Sequence, residues 1–164
     1  MAIEIREAHP EEYGETGVVT ANAYREFFAD ADADLRSYLE EIADVAGRAP
    51  RTTILVAVDG DRIVGSATLE LDGRTSEDAG PLAPDEAHIR MLGVHPDARR
   101  AGVGKQLMAG CEARARAAGR TRMTLHTTTL MRAAREMYTA LGYERSEDRV
   151  YPDGFVLLGY AKEL

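Results

Sequence analysis

The chain has 164 residues, of which 45% are hydrophobic and 29% charged; this suits one globular domain over residues 1–164 and excludes a disordered, collagen-like or disulfide-built chain. Twenty Lys and Arg against 28 Asp and Glu leave a net charge of −8, which repels a nucleic-acid backbone unless positive charge is clustered. A single cysteine, Cys111, allows no internal disulfide, no apolar run reaches the roughly 20 residues of a membrane span, and the charged start lacks an export signal, so a cytoplasmic protein is expected.

Ile3 and Ile5 alternate with Glu4 and Arg6 as in a short half-buried strand, and His9-Pro10-Glu11-Glu12 has the proline and acids of a helix start. Two amphipathic helices are predicted next, one with Val18, Val19, Tyr24, Phe27 and Phe28, the other with Leu35, Tyr38, Leu39, Ile42 and Val45. Asp30-Ala-Asp-Ala-Asp34 separates them. The run Ile54 to Val58, the turn signal Asp59-Gly60 and the segment Arg62 to Leu71 predict a β-hairpin. A loop rich in Gly, Pro and acids spans Asp72 to Asp85, and His88 to Val94 reads as a strand that stops at Pro96.

Arg99-Arg-Ala-Gly102-Val-Gly104 then opens a helix whose apolar positions Val103, Leu107, Cys111, Ala115 and Ala118 recur every three or four residues until Gly119. Met123 to Thr127 is predicted as a strand, Met131 to Leu141 as a helix closed by Gly142, and Phe155 to Tyr160 as a last strand after the turn Pro152-Asp153-Gly154. The order β-α-α-β-β-β-α-β-α-β, without internal repeat or linker, is a mixed α/β layer protein.

A two-glycine turn lets backbone approach a ligand closely, and a helix that starts inside it presents unpaired N–H groups with partial positive charge, a combination that favours phosphate. Arg99, Arg100 and Lys105 add cationic side chains. Residues 95–135 hold nine Arg or Lys and two acids, a local net of +7, so the clustering that the overall charge conceals is present. A Walker loop would need Gly at Arg99 and Ser or Thr at Gln106, and a dinucleotide fingerprint would need a small residue at Leu107; both fail.

Arg99-x-x-Gly102-x-Gly104, placed between strand and helix, resembles the signature of the GNAT superfamily of N-acetyltransferases. A second element of that family, a helix with Ala, Tyr four residues on and then Leu-Gly-Tyr, is matched by Ala134, Tyr138 and Leu141-Gly142-Tyr143. The resemblance implies a mixed central sheet with helices on both faces and two central parallel strands that splay apart. It also implies acyl transfer, most often of acetyl, from acetyl-CoA to an amine; the four histidines have no metal spacing and no cysteine nearby, so no metal is expected. The pyrophosphate would be held by Arg99, Arg100, Ala101, Gly102, Val103, Gly104 and Lys105, and the pantetheine by Leu92, Gly93 and Val94, with Ala134 and Tyr138 beside it. The backbone N–H near Leu92 would polarise the thioester carbonyl.

Attack on a thioester needs a deprotonated amine and a protonated leaving thiol. By family analogy Tyr138, a phenol with an ordinary pKa of about 10, gives the proton to sulfur. For the base the family offers Glu or His on the strand before the signature, which leaves His88 and Glu86, two residues apart on one face, or a water chain. His126 could line the same cleft but suits packing, as does Cys111 on its helix stripe; His95 and Pro96 match the family's ordinary strand end without a chemical role, and His9 belongs to a turn. Met131 stands where family members often have Asn.

Residues 1–50 carry 12 acids and four arginines, so a cationic acceptor is expected: a polyamine, an amino sugar, or a Lys or N-terminal amine of a peptide. The aromatic residues of the same segment keep arylalkylamines as another class. The alternative from a different class is an inactive acyl-CoA-binding sensor or interaction module. Nucleic acid and membrane are not expected partners; homodimers are frequent in the family, and no residue here establishes one.

Overall fold

The computed structural model describes residues 2–28, 33–72, 80–152 and 154–164. Asp30 and Asp32 of the predicted acidic linker, residues 73–79 of the long loop and Asp153 of the late turn lie outside them, as do the side chains of Phe28, Asp34 and Leu35. Alternation at the start forms β1 (Ile3–Glu7), and a 3-10 turn at Pro10–Glu12 enters α1 (Tyr13–Arg25). Next come α2 (Ala33–Ala43), a short α3 (Val45–Arg48), β2 (Thr53–Asp59) and β3 (Arg62–Glu70). The second half comprises β4 (Glu86–Val94), α4 (Val103–Ala117), β5 (Arg122–Thr127), α5 (Arg132–Ala140), β6 (Glu144–Val150) and β7 (Val156–Glu163).

The strands order β1-β2-β3-β4-β5-β7-β6 in a seven-stranded sheet. β4 and β5 run parallel, whereas β1–β2, β2–β3, β5–β7 and β6–β7 are antiparallel. This is the mixed α/β class that the element order predicts. Asp59 pairs with Arg62, so the hairpin turn is Gly60-Asp61, with Gly60 at φ 66° as a tight hairpin requires.

β6 is absent from the sequence-based element order. Its sequence Glu-Arg-Ser-Glu-Asp-Arg-Val has five charged residues in seven and no apolar alternation. Among the described residues it is the last strand of the sheet and pairs only with β7, and charge on such an edge discourages pairing with another chain.

The chain divides into two compact units, Met1–Leu69 with Met91–Cys111, and Glu70–Arg90 with Glu112–Leu164. In the first, the continuous run Ile54 to Val58 is buried together with Ile63, Val64, Val103, Leu107 and Met108. Such a run without alternation is what a strand covered on both faces needs. The buried Arg48 donates to Thr68 Oγ1 at 3.0 Å and to the carbonyls of Glu41 and Asp44 at 2.9 and 3.2 Å. Gly17 brings α1 against α2: a Cβ there would lie 2.1 Å from the carbonyl oxygen of Ala43.

In the second unit, Ala87, Ile89, Met123 and Leu125 are buried along β4 and β5. Glu112 accepts from the Tyr143 hydroxyl and from Lys162 Nζ, both at 3.0 Å, joining α4 to β7 and to the segment between α5 and β6. Arg90 and Glu70 form a second buried ion pair at 3.3 Å.

At the first helix entry Glu12 accepts from Arg6 at 2.7 and 2.9 Å and from the His9 backbone N–H at 2.8 Å. The Arg6 hydrogen bond, then that of His9, holds the Glu12 carboxyl down at about 2 from its ordinary 4.5. A depressed carboxylate stabilises the fold fully above its unfolded pKa and ceases to as pH falls through the folded one. Glu12→Gln is therefore expected to be less stable than the parent at neutral pH, with the difference shrinking from about pH 4.5 and gone near pH 2; urea melts across that range measure it.

Candidate functional site

β4 carries the first part of the predicted site. Its recorded pairs with β5 run from Glu86–Arg122 to Ile89–Leu125, and at Met91 the strand turns through φ 52°. A non-glycine residue in that region costs on the order of 1–3 kcal/mol. Leu92 and Val94 are half-buried. Gly93 has a packing reason that its motif position does not announce: a Cβ would meet Ala23 Cβ at 3.1 Å and Thr20 Cγ2 at 3.3 Å, so α1 lies directly on this strand.

After β4 the His95 ring accepts from Asp97 N–H at 3.1 Å and caps the 3-10 turn Pro96–Ala98, a structural task. In the loop that follows, Arg100 and Gly102 take φ 65° and 77°. Gly102 oxygen accepts from Gln106 N–H at 3.1 Å, closing the first turn of α4. The helix then leaves its leading N–H groups, those near Val103, Gly104 and Lys105, without intrahelical acceptors. Val103 is 1% exposed, so it can offer a ligand only its backbone. Arg100, Ala101 and Lys105 are exposed, and no atom lies within 4 Å of where a Gly102 Cβ would stand. Arg99 instead pairs with Glu26 at the end of α1 and donates to Ala23 oxygen at 3.4 Å. Its charge anchors the loop rather than projecting from it.

The second unit contains a cleft of about 440 Å³ whose walls include Glu86, Arg122, Thr124, His126, Asp148 and Tyr160. Glu86 reaches it, but both carboxylate oxygens are engaged: Oε1 accepts from Ala83 N–H at 3.0 Å and Oε2 from Arg122 at 2.9 Å. His88 is wholly buried and is not among the wall residues. It meets the wall through Thr124, whose hydroxyl lies 2.8 Å from Nδ1, and through His126, whose ring centroid is 5.5 Å away. The face shared by Glu86 and His88 is thus confirmed by their partners Arg122 and Thr124 on one face of β5, while their accessibility differs.

Asp148 sits in the bulge of β6 between Ser146 and Arg149, where it accepts from Gly159 N–H at 2.9 Å and from Arg145. The Gly159 hydrogen bond first, then Arg145, holds its carboxyl below the ordinary range, so it carries negative charge at neutral pH.

Tyr138 on α5 is 6% exposed and stands between Tyr143 and Tyr160, with ring centroids 6.1 and 5.9 Å away. Tyr160 is a wall residue of the cleft. Ala134, one turn earlier, is half-buried. Met131, at the helix start, provides no side-chain cap; its sulfur takes the Thr127 hydroxyl at 3.6 Å.

His126, expected to suit packing though able to line the cleft, is one of its wall residues; Arg122 carried no such expectation, although alternation with Thr124 and His126 along β5 puts all three on one face. Asp148 and Gly159 had no sequence signal, because they act through a bulge in a strand that the pattern hides.

The sequence model of the acetyltransferase (GNAT) family matches residues 7–143. No curated protein sequence matches the chain. The fold is similar to PaiA N-acetyltransferase of Thermoplasma acidophilum in complex with coenzyme A, at TM-score 0.77 and 16% identity over 100% of both chains. It is also similar to a GCN5-related N-acetyltransferase structure from Rhodopseudomonas palustris, at 0.73 and 22% over 100% of this chain and 99% of that one. A third similar structure is yncA of Salmonella typhimurium with its cofactor acetyl-CoA, at 0.71 and 18% over 100% and 95%.

A Cβ at Gly159 would lie 2.1 Å from the carbonyl oxygen of Glu147, so Gly159→Ala must push the β6 bulge away from the cleft. A loss of about 1–3 kcal/mol is expected from such overpacking, read as a lower urea midpoint.

Proposed function

Since the chain belongs to the acetyltransferase (GNAT) family, we propose that it moves the acetyl group of acetyl-CoA to a primary amine received by the cleft of Glu86, Thr124, His126 and Tyr160. The observation that carries this reading is the Arg99-x-x-Gly102-x-Gly104 loop, with its left-handed Gly102 and exposed Arg100 and Lys105 at the start of α4.

The residues of the loop fit a pyrophosphate. Backbone N–H groups around Gly102 to Lys105 would donate to it, with Arg100 and Lys105 supplying mobile positive charge. Arg99 holds the loop to α1, and Val103 contributes backbone alone. Leu92 to Val94 would pair with the pantetheine amides as an added strand, and the N–H near Leu92 would donate to the carbonyl oxygen as it gains charge.

The amine loses a proton that water relays past the cleft wall to the buried His88, and its freed electron pair forms the new C–N bond. As the C–S bond breaks, the sulfur takes a proton from the Tyr138 phenol. Glu86, held by Arg122, serves as a charged wall group rather than as the base. With Glu147 and Asp148 against Arg122 and Arg149, the wall holds one more acid than base, a slight excess that favours a small cationic amine or a peptide amine over an anionic one.

Thermal shift with acetyl-CoA, followed by thiol release over a panel of amines, tests this. Binding without thiol release for any amine would instead identify an acyl-CoA sensor. Gly102→Val, strained at φ 77°, is expected to raise KM for acetyl-CoA by about tenfold or more. Tyr138→Phe is expected to lower kcat by roughly a hundredfold with little change in that KM. His88→Gln is expected to lower kcat and alter its pH profile; an unchanged rate and profile would remove His88 from the reaction.

A further inference from the structure

We infer that Thr124 is a positioning residue that holds His88 as its Nδ1-protonated tautomer and so reserves Nε2 for the proton taken from the amine. The inference rests on the reading of His88 as the base.

Parallel pairing sets Thr124 opposite His88. The Thr124 hydroxyl lies 2.8 Å from His88 Nδ1 and 3.2 Å from the carbonyl oxygen of Ala87. A hydroxyl has one proton, and a carbonyl oxygen has only lone pairs to offer. The contact with Ala87 is attractive only when Oγ1–H donates to it. Oγ1 then turns a lone pair toward His88, and that lone pair is satisfied only by an Nδ1–H. The opposite tautomer would take the hydroxyl proton to Nδ1 and leave Oγ1 facing the Ala87 oxygen, lone pair to lone pair. His88 is 0% exposed, so at this nitrogen the protein itself chooses the tautomer.

The chain Nδ1–H to Oγ1–H to O=C of Ala87 gives the ring both orientation and a route for polarisation. When the N–H bond of the ammonium breaks and Nε2–H forms, positive charge spreads over the imidazole, and Nδ1 becomes a stronger donor to an acceptor already in place. Outer groups that orient a working histidine act in this manner with metals and in hydrolytic triads. Here the orienting group is a neutral hydroxyl backed by a carbonyl. His126, with its ring 5.5 Å from that of His88 and in the cleft wall, is the neighbouring group through which the cleft and the buried ring are in contact.

The test is nitrogen NMR of the full chain labelled at its histidines, at about pH 8, above the ordinary imidazole range, with the His88 signals assigned by difference against His88→Gln. A protonated Nδ1 and a bare Nε2 are expected in the parent. Thr124→Ser should keep that state and most of the rate. Thr124→Val should lose the single tautomer and lower kcat by about 10–100-fold. A parent His88 protonated at Nε2, or an unchanged tautomer in Thr124→Val, would overturn the inference. The parent spectrum and the serine variant decide it even where the valine variant does not fold. The spectra judge Thr124, whereas the rate of His88→Gln judges the base, so the two readings fail separately.

Discussion

Glu86 stands opposite Arg122 and His88 opposite Thr124 because β4 and β5 pair in parallel in that register, through Ile89 and Leu125. Side chains alternate along a strand, so a slip of one residue would turn Ala87 and Ile89 to the face of the charged groups and send His88 among the apolar ones. The apolar burial of Ala87, Ile89, Met123 and Leu125 therefore specifies the polar contacts as well. Two residues past the last recorded pair, Met91 takes a left-handed conformation, and the strand continues to Val94 with a different set of neighbours.

Buried charge is matched elsewhere in the same way. Arg48 ends on a hydroxyl and two carbonyls, Arg90 on Glu70, and Glu112 on Lys162 and Tyr143. Pairs of this kind add little net stability against apolar replacements, but removing one partner strands the other. The same accounting separates the cations of the signature region. Arg99 and Arg122 are held by Glu26 and Glu86, while Arg100 and Lys105 lie exposed on the loop.

The legibility of the elements followed their chemistry. β2 and α4 are plain in the sequence because a continuous apolar run and a three-to-four-residue stripe each have one geometric solution. β6 is hidden because an edge strand needs no apolar face, and five charges in seven residues imitate a loop. The signature loop was legible because its glycines meet a backbone requirement: Gly102 does adopt φ 77°. Gly93 and Gly159 were not legible in this sense, since each is small on account of an atom from a distant segment.

The sequence by itself determined the mixed α/β class, the loop at the head of α4, and the shared face of Glu86 and His88, because periodicity and backbone conformation are local properties. It also determined where charge accumulates along the chain. Only the tertiary structure decided which of those charges are committed: that Glu86 is bound to Arg122, that Arg99 is bound to Glu26, and that His88 lies buried against Thr124 while His126 reaches the cleft. Those outcomes depend on partners 36 to 73 residues away in the chain, and no local pattern encodes a partner at that separation.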